Sequence, residues 1–203
     1  MRLLIASTVS AVVILSASSA MAADANWSRV YLRLDTGGSF PTDDYDNSAI
    51  ISGGVGYRFN DRLRADVTLG YRGWYGGNVV WAGPSANGAK ADISSFDGLA
   101  NLYYDFGKFG FFTPYVGGGM GFASNTVSNY QVFANGAQVS SSDDHTETDF
   151  AWQLSAGTAV DVAPNLAIDV GYRYFDAGSL WAGWPGKSDL TAHELQVGLR
   201  YSL

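Results

Sequence analysis

The stretch Leu166-Ala167-Ile168-Asp169-Val170-Gly171-Tyr172-Arg173-Tyr174-Phe175 alternates with period two. Leu166, Ile168, Val170, Tyr172 and Tyr174 fall on one side, and Asp169, Gly171 and Arg173 on the other. Successive side chains of a strand point to opposite faces, so the segment reads as a strand with one apolar and one charged face. Its ten residues are also the length with which a tilted strand crosses a bilayer, about 9–11.

The same pattern recurs over residues 29–40, 50–59, 63–75, 96–106, 111–123, 150–162 and 192–203, giving eight predicted strands. One face carries residues such as Leu32, Leu34, Val55, Val67, Leu102, Met120, Leu154 and Val197, and no charge in any segment. The other carries Arg33, Asp35, Arg58, Arg64, Asp66, Arg72, Asp97, Asp105, Asp161, Asp169, Arg173, Glu194 and Arg200, nearly balanced in sign. Glycines share that polar face, among them Gly56, Gly70, Gly117, Gly119 and Gly198, and are expected to make room for the long arginines. No window shows a capped stripe of helical period.

The connections alternate between short (60–62, 107–110, 163–165) and long (41–49, 76–95, 124–149, 176–191). Short turns at one end and long loops at the other are the pattern of an outer-membrane barrel. Tyr57, Phe59, Tyr104, Phe106 and Tyr201 fall near the short-turn ends; Tyr71, Tyr75, Phe96, Phe122, Trp152, Tyr172 and Tyr174 fall near the long-loop ends. Two such rings, with aliphatic residues between them, match the interfacial girdles of membrane barrels. A soluble lipocalin-like barrel satisfies the same alternation with its faces reversed. Export without cysteine, the girdles and the absence of an open edge in a closed barrel favour the apolar face outward. The inward charges then pair with one another, since an unpaired buried charge costs several kcal/mol. Eight strands leave an interior that side chains fill, so the expectation is a lumen plugged by Arg, Asp and Glu.

The 203 residues are 47% hydrophobic, 14% aromatic and 15% charged, which excludes disorder. A net charge of −7 without a basic stripe argues against nucleic acid. The absence of cysteine removes disulfides, thiol nucleophiles and Cys-type zinc sites. Arg2, the apolar run that follows and Ala20-Met21-Ala22 read as an export signal over residues 1–22, ahead of a barrel domain over residues 23–203.

Gly54-Val55-Gly56-Tyr57-Arg58-Phe59, Asn101-Leu102-Tyr103-Tyr104-Asp105-Phe106, Thr113-Pro114-Tyr115-Val116-Gly117-Gly118-Gly119-Met120-Gly121-Phe122 and the Asp169–Tyr174 core resemble the small eight-stranded outer-membrane β-barrel family. That family includes the opacity-type surface antigens and the OmpA-like transmembrane barrel, and the resemblance spans nearly the whole chain. It implies a Gram-negative outer-membrane location, contact with membrane lipid and lipopolysaccharide, and handling by the barrel-assembly machinery during biogenesis. Family members usually end in an aromatic residue, whereas this chain ends in Tyr201-Ser202-Leu203, which weakens that assembly signal. The role it implies is structural or surface-interactive: envelope integrity, surface antigenicity or adhesion to host or environmental ligands through the external loops.

Some barrels of this kind modify envelope lipids, an activity that needs a histidine beside a serine nucleophile and an acid that orients it. His145 and His193 are the only histidines; His193 adjoins Glu194, but alternation puts their side chains on opposite faces, and no serine shares the His193 face two positions away. Residues 143–149 are rich in Asp and Glu but lack calcium-loop spacing. Neither catalytic residues nor a cofactor or metal are therefore expected, and a narrow channel lined by the inward charges is the alternative, ahead of a lipid-modifying enzyme. Trp81, Trp181 and Trp184 are assigned to long loops, as anchors or loop-packing residues.

Overall fold

The computed structural model describes residues 27–42, 47–82, 86–134, 137–141, 144–181 and 187–203; the segment expected to be an export signal lies outside them. After a single 3-10 turn at Trp27–Arg29 the chain forms β1 (Val30–Pro41), β2 (Ser48–Arg58), β3 (Leu63–Ala82), β4 (Ala86–Asp105), β5 (Phe112–Ala134), β6 (Ala137–Ser141), β7 (His145–Ala163), β8 (Leu166–Trp181) and β9 (Lys187–Ser202). Every pairing is antiparallel, β1 pairs with β9, and β4 pairs with β5, so eight strands close into a ring and β6 folds back on β5 outside it. No helix among the described residues is long and apolar enough to cross a membrane.

At the short-turn end the backbone reverses tightly. The Asn60 side-chain oxygen accepts from the amides of Arg62 (2.8 Å) and Leu63 (2.9 Å), closing the β2–β3 turn. The β4–β5 turn uses Gly107 and Gly110 at φ of 105° and 66°, where a side chain would be strained.

The other end departs from the sequence reading. Most of the residues assigned to three long loops are strand: β3 and β4 stay paired to Ala82↔Ala86, β5 and β6 to Ala134↔Ala137, and β8 and β9 to Trp181↔Lys187. Trp81 therefore sits in β3 opposite Asn87, and Trp181 ends β8; Trp184 and the Tyr75 side chain lie outside the described part. Backbone N–H and C=O groups need partners, and a hairpin supplies them at every step. The extensions were hard to read because bulges at Trp74/Gly77, Lys90/Asp92 and Asp176/Ser179 break the period of two.

The faces are unambiguous. Leu34, Ile51, Val67, Met120, Leu154 and Val197 stand more than half exposed on the outside, whereas Arg64, Arg72, Asp97 and Glu194 are at most 1% exposed within. Exposed rings bound this band: Phe59, Tyr104, Phe106 and Tyr201 at the short-turn side, and Phe40, Tyr71, Phe96, Phe122, Phe150 and Tyr172 at the other. Tyr57, Trp152 and Tyr174 are half-buried members of the same rings. Tyr201 and Phe96 each lie eight residues from a partner in the opposite ring (His193, Tyr104), roughly 26 Å of strand and about 20 Å of height once tilted.

Candidate functional site

The lumen is filled by three tiers of polar side chains. In the outer tier Glu194 from β9 bridges two cations. Arg72 of β3 donates to its Oε1 at 3.0 Å and to Asp97 Oδ2 at 2.7 Å, and Arg173 of β8 pairs with its other oxygen. The Arg72 guanidinium also lies 4.0 Å from the Phe175 ring centroid. All four charged groups are at least nine-tenths buried, in a setting where paired charges are tolerable and unpaired ones are not.

In the middle tier Arg33 of β1 forks onto Asp35 (2.8 and 2.9 Å) and reaches Asp66 Oδ2 (2.9 Å) and the Tyr103 hydroxyl (2.8 Å). Tyr31 donates to Asp66 at 2.9 Å, Asn101 donates to Asp66 Oδ1 at 2.8 Å, and Gln153 donates to Asn101. Beside this network a small cavity opens between Arg33, Tyr103, Tyr115, Gln153, Ser155 and Arg173, with space on the scale of one water.

In the inner tier Arg64 faces Asp105 at 3.2 Å and lies over the rings of Tyr103 (4.0 Å) and Tyr115 (4.8 Å). Arg200 lies 3.5 Å from Asp169, and Arg58 donates to the Ser202 hydroxyl at 2.9 Å. One expected member is elsewhere: Asp161 stands 44% exposed at the short-turn rim, paired with Lys108 at 2.5 Å. It closes β7 beside the Asp161/Ala163 bulge, beyond the enclosed part of the lumen. Without it the interior charges number six of each sign.

The inward glycines make room, but not chiefly for arginine. Gly198 lies opposite Asp35, Gly70 opposite Asp97, Gly56 opposite Tyr31 and Gly117 opposite Tyr103. A Cβ at any of them would strike that cross-strand neighbour, so the glycines seat acceptors and phenol rings. Tyr31, Tyr103, Tyr115, Asn101 and Gln153 were not singled out from sequence, although their alternation parity with Arg33, Asp105 and Gly117 places them inward.

Toward the outer end the bore becomes mostly apolar: Leu99 and Phe175 pack at the level of the outer tier, and Ile93, Val127, Ala177 and Leu190 lie above it beside the buried Ser95 and Asn125. The outward positions at this height are hydroxylated: Thr126 meets Thr146 at 2.9 Å, Thr148 donates to Ser124 at 3.0 Å, and Thr191 donates to Thr42 at 3.0 Å. Asp149 accepts from the Ser179 amide (3.1 Å) and hydroxyl (2.6 Å), holding the β8 bulge. Among the described residues no three His, Asp or Glu side chains are placed to hold a metal. His193 faces outward in the outer ring, 2.6 Å from the Tyr172 hydroxyl and against the Tyr174 ring, while Glu194 points into the lumen.

Residues 9–202 match the family model described as an outer membrane protein beta-barrel domain. A Rickettsia massiliae protein named "Putative adhesin" is 27% identical over 228 aligned positions, covering 99% of this chain and 98% of that protein. An uncharacterised Brucella suis protein is 33% identical over 155 positions, covering 66% of this chain and 55% of its own length. Among solved structures, Neisserial surface protein A superposes with a TM-score of 0.62 at 21% identity, covering 86% of this chain and 97% of that one. Ail of Yersinia pestis, solved with the heparin analogue sucrose octasulfate, superposes with a TM-score of 0.52 at 14% identity, covering 85% and 97%.

Proposed function

We propose, from the premise that this chain belongs to the outer membrane β-barrel family and lies in the Gram-negative outer membrane, that it is a non-catalytic surface-display barrel whose extended outer hairpins engage partners outside the cell. The observation that carries this reading is the closed lumen. Three tiers of charged and polar side chains fill the bore among the described residues, and the cavity beside Arg33, Tyr115 and Arg173 has space on the scale of one water. What the barrel offers the outside is its extended hairpins, and the relative bearing an adhesin name supports the same role.

Charge narrows the partner. The four outer segments, 41–49, 76–95, 124–149 and 176–191, hold ten acidic residues and two basic ones, Lys90 and Lys187. Such a surface repels polyanions of the heparin kind and attracts a basic protein or peptide face. Lipopolysaccharide phosphates would meet it through divalent cations.

The test has two arms. Gram-negative cells displaying the full chain should bind epithelial cells or matrix more strongly than cells displaying a barrel trimmed at 74–91, while both barrels keep heat-modifiable mobility. The purified protein should leave a planar bilayer silent. Equal adhesion by both strains, or steady single-channel openings, would remove the proposal.

A further inference from the structure

The inner tier differs from the other two in having more cations than carboxylates. The outer tier matches Arg72 and Arg173 with Asp97 and Glu194. The middle tier sets Asp35 and Asp66 against Arg33, and their oxygens are already taken by Arg33, Ser52, Tyr31 and Asn101. The inner tier brings Arg58, Arg64 and Arg200 to two carboxylates, Asp105 and Asp169, and to two neutral hydroxyls, Tyr31 at 3.5 Å from Arg64 and Ser202.

These three arginines come from β2, β3 and β9 and all approach one ring. Their guanidinium carbons lie 5.6, 6.0 and 5.7 Å from the Tyr31 centroid. Arg64 and Arg200 are 1% and 5% exposed, yet Arg64 Nη2 and Arg200 Nε and Nη1 have no hydrogen-bond acceptor among the described residues. The nearest carboxylate oxygen to Arg200, on Asp169, is 3.5 Å from Nε, too long and too poorly aimed to accept. Arg58 meets only the neutral Ser202 hydroxyl in this tier, and its partly exposed side chain reaches the water at the short-turn end. Buried guanidinium donors without acceptors are strongly unfavourable, and a tetrahedral oxyanion offers the oxygens that planar guanidinium forks match best.

We propose that Arg58, Arg64 and Arg200 form an oxyanion site at the short-turn mouth of the barrel, taking one phosphate-class anion from the periplasmic side. The bound anion completes the inner tier and locks β2, β3 and β9 together, so envelope phosphate stabilises the barrel from within. The site stands at the opposite end of the molecule from the display surface and does not depend on that function.

The test uses the whole mature protein, refolded in a phosphate-free detergent. The thermal midpoint of the heat-modifiable form is followed while sodium phosphate replaces sodium gluconate at constant ionic strength. The midpoint should rise and saturate, by roughly 2–4 °C at about five times the dissociation constant. Arg200→Gln should weaken the response at least about tenfold, the effect of losing one charge-assisted bond. Lys108→Gln, at the exposed rim, should leave the response unchanged. If micelles doped with phosphatidylglycerol give the full rise without added phosphate, the anion comes from lipid and a periplasmic source is wrong. A flat wild-type curve, or one that Arg200→Gln reproduces, overturns the site. Should Arg200→Gln fail to fold, Arg58→Gln at the partly exposed position replaces it. Crystals grown with selenate then decide: anomalous density among the three guanidinium groups is expected, and its absence refutes the proposal.

Discussion

Between the two aromatic rings the strands carry aliphatic side chains outward and ion pairs inward; above the outer ring the same strands do the reverse. On β4, Phe96 and Leu102 face out while Asp97 and Asn101 face in, but further up Ser94 faces out and Ile93 faces in. β5 changes from Met120 outside to Val127 inside, and β9 from Val197 outside to Leu190 inside. The backbone ladder runs unbroken through the change on β5 and β7, from Phe112↔Val160 to Val127↔His145. Pairing therefore does not decide which face is oily. The surroundings do: hydrocarbon accepts the apolar face in the lower band, while water above forces the apolar side chains into the bore. One continuous sheet is a membrane protein below and a water-soluble barrel above.

That contrast can be broken most severely from inside the lower band. Glu194→Ala strips Arg72 and Arg173 of their shared acceptor and should lower stability by about 3–5 kcal/mol, measured by urea unfolding of the refolded barrel in vesicles. In the upper region the equivalent injury is to the oily bore. Leu190→Ala removes a side chain 1% exposed and should cost about 2–5 kcal/mol. It should also make the outer hairpins cleavable by protease while the band below stays protected; cleavage within the lower band as well would mean that the two regions are not separable.

The outer faces sharpen the contrast. Val197 lies halfway between His193 and Tyr201, at the middle of the apolar band, so Val197→Arg should cost about 2–4 kcal/mol. Thr126→Arg, in the hydroxylated belt above, should stay within about 0.5 kcal/mol of wild type. Equal effects in vesicles would abolish the distinction between belt and band. The smallest effect belongs to the rim: Lys108 and Asp161 are 59% and 44% exposed, and Lys108→Gln should change stability by less than about 1 kcal/mol, vanishing at high salt.

The lower band was legible from residue order because each half of its alternation is chemically pure. Strand identity, face assignment, ring positions and the pairing of arginines with carboxylates all follow from Leu166–Phe175 and its counterparts. The upper region was not legible for two physical reasons. Its outward positions are serine and threonine, whose composition is also that of loops, and bulges such as Trp74/Gly77 shift the parity that a reader counts by. Within the site the charged residues were visible, but the neutral ones that finish the network were not. Tyr31, Tyr103 and Asn101 become donors only because cross-strand glycines leave them space, and that juxtaposition depends on register between distant segments. Asp161 was misplaced because alternation does not tell where a strand leaves the enclosed bore.

The hairpins that rise past the outer ring are hydrogen-bonded continuations of strands that cross the bilayer: β3 runs from Leu63 to Ala82 and β4 from Ala86 to Asp105, each through one bulge. A pull on the Ala82–Ala86 end travels along the strand axes and loads the flanking β2–β3 and β4–β5 ladders in shear, with many bonds resisting together. Tension applied at that tip would be shared by both flanking ladders of the barrel wall at once.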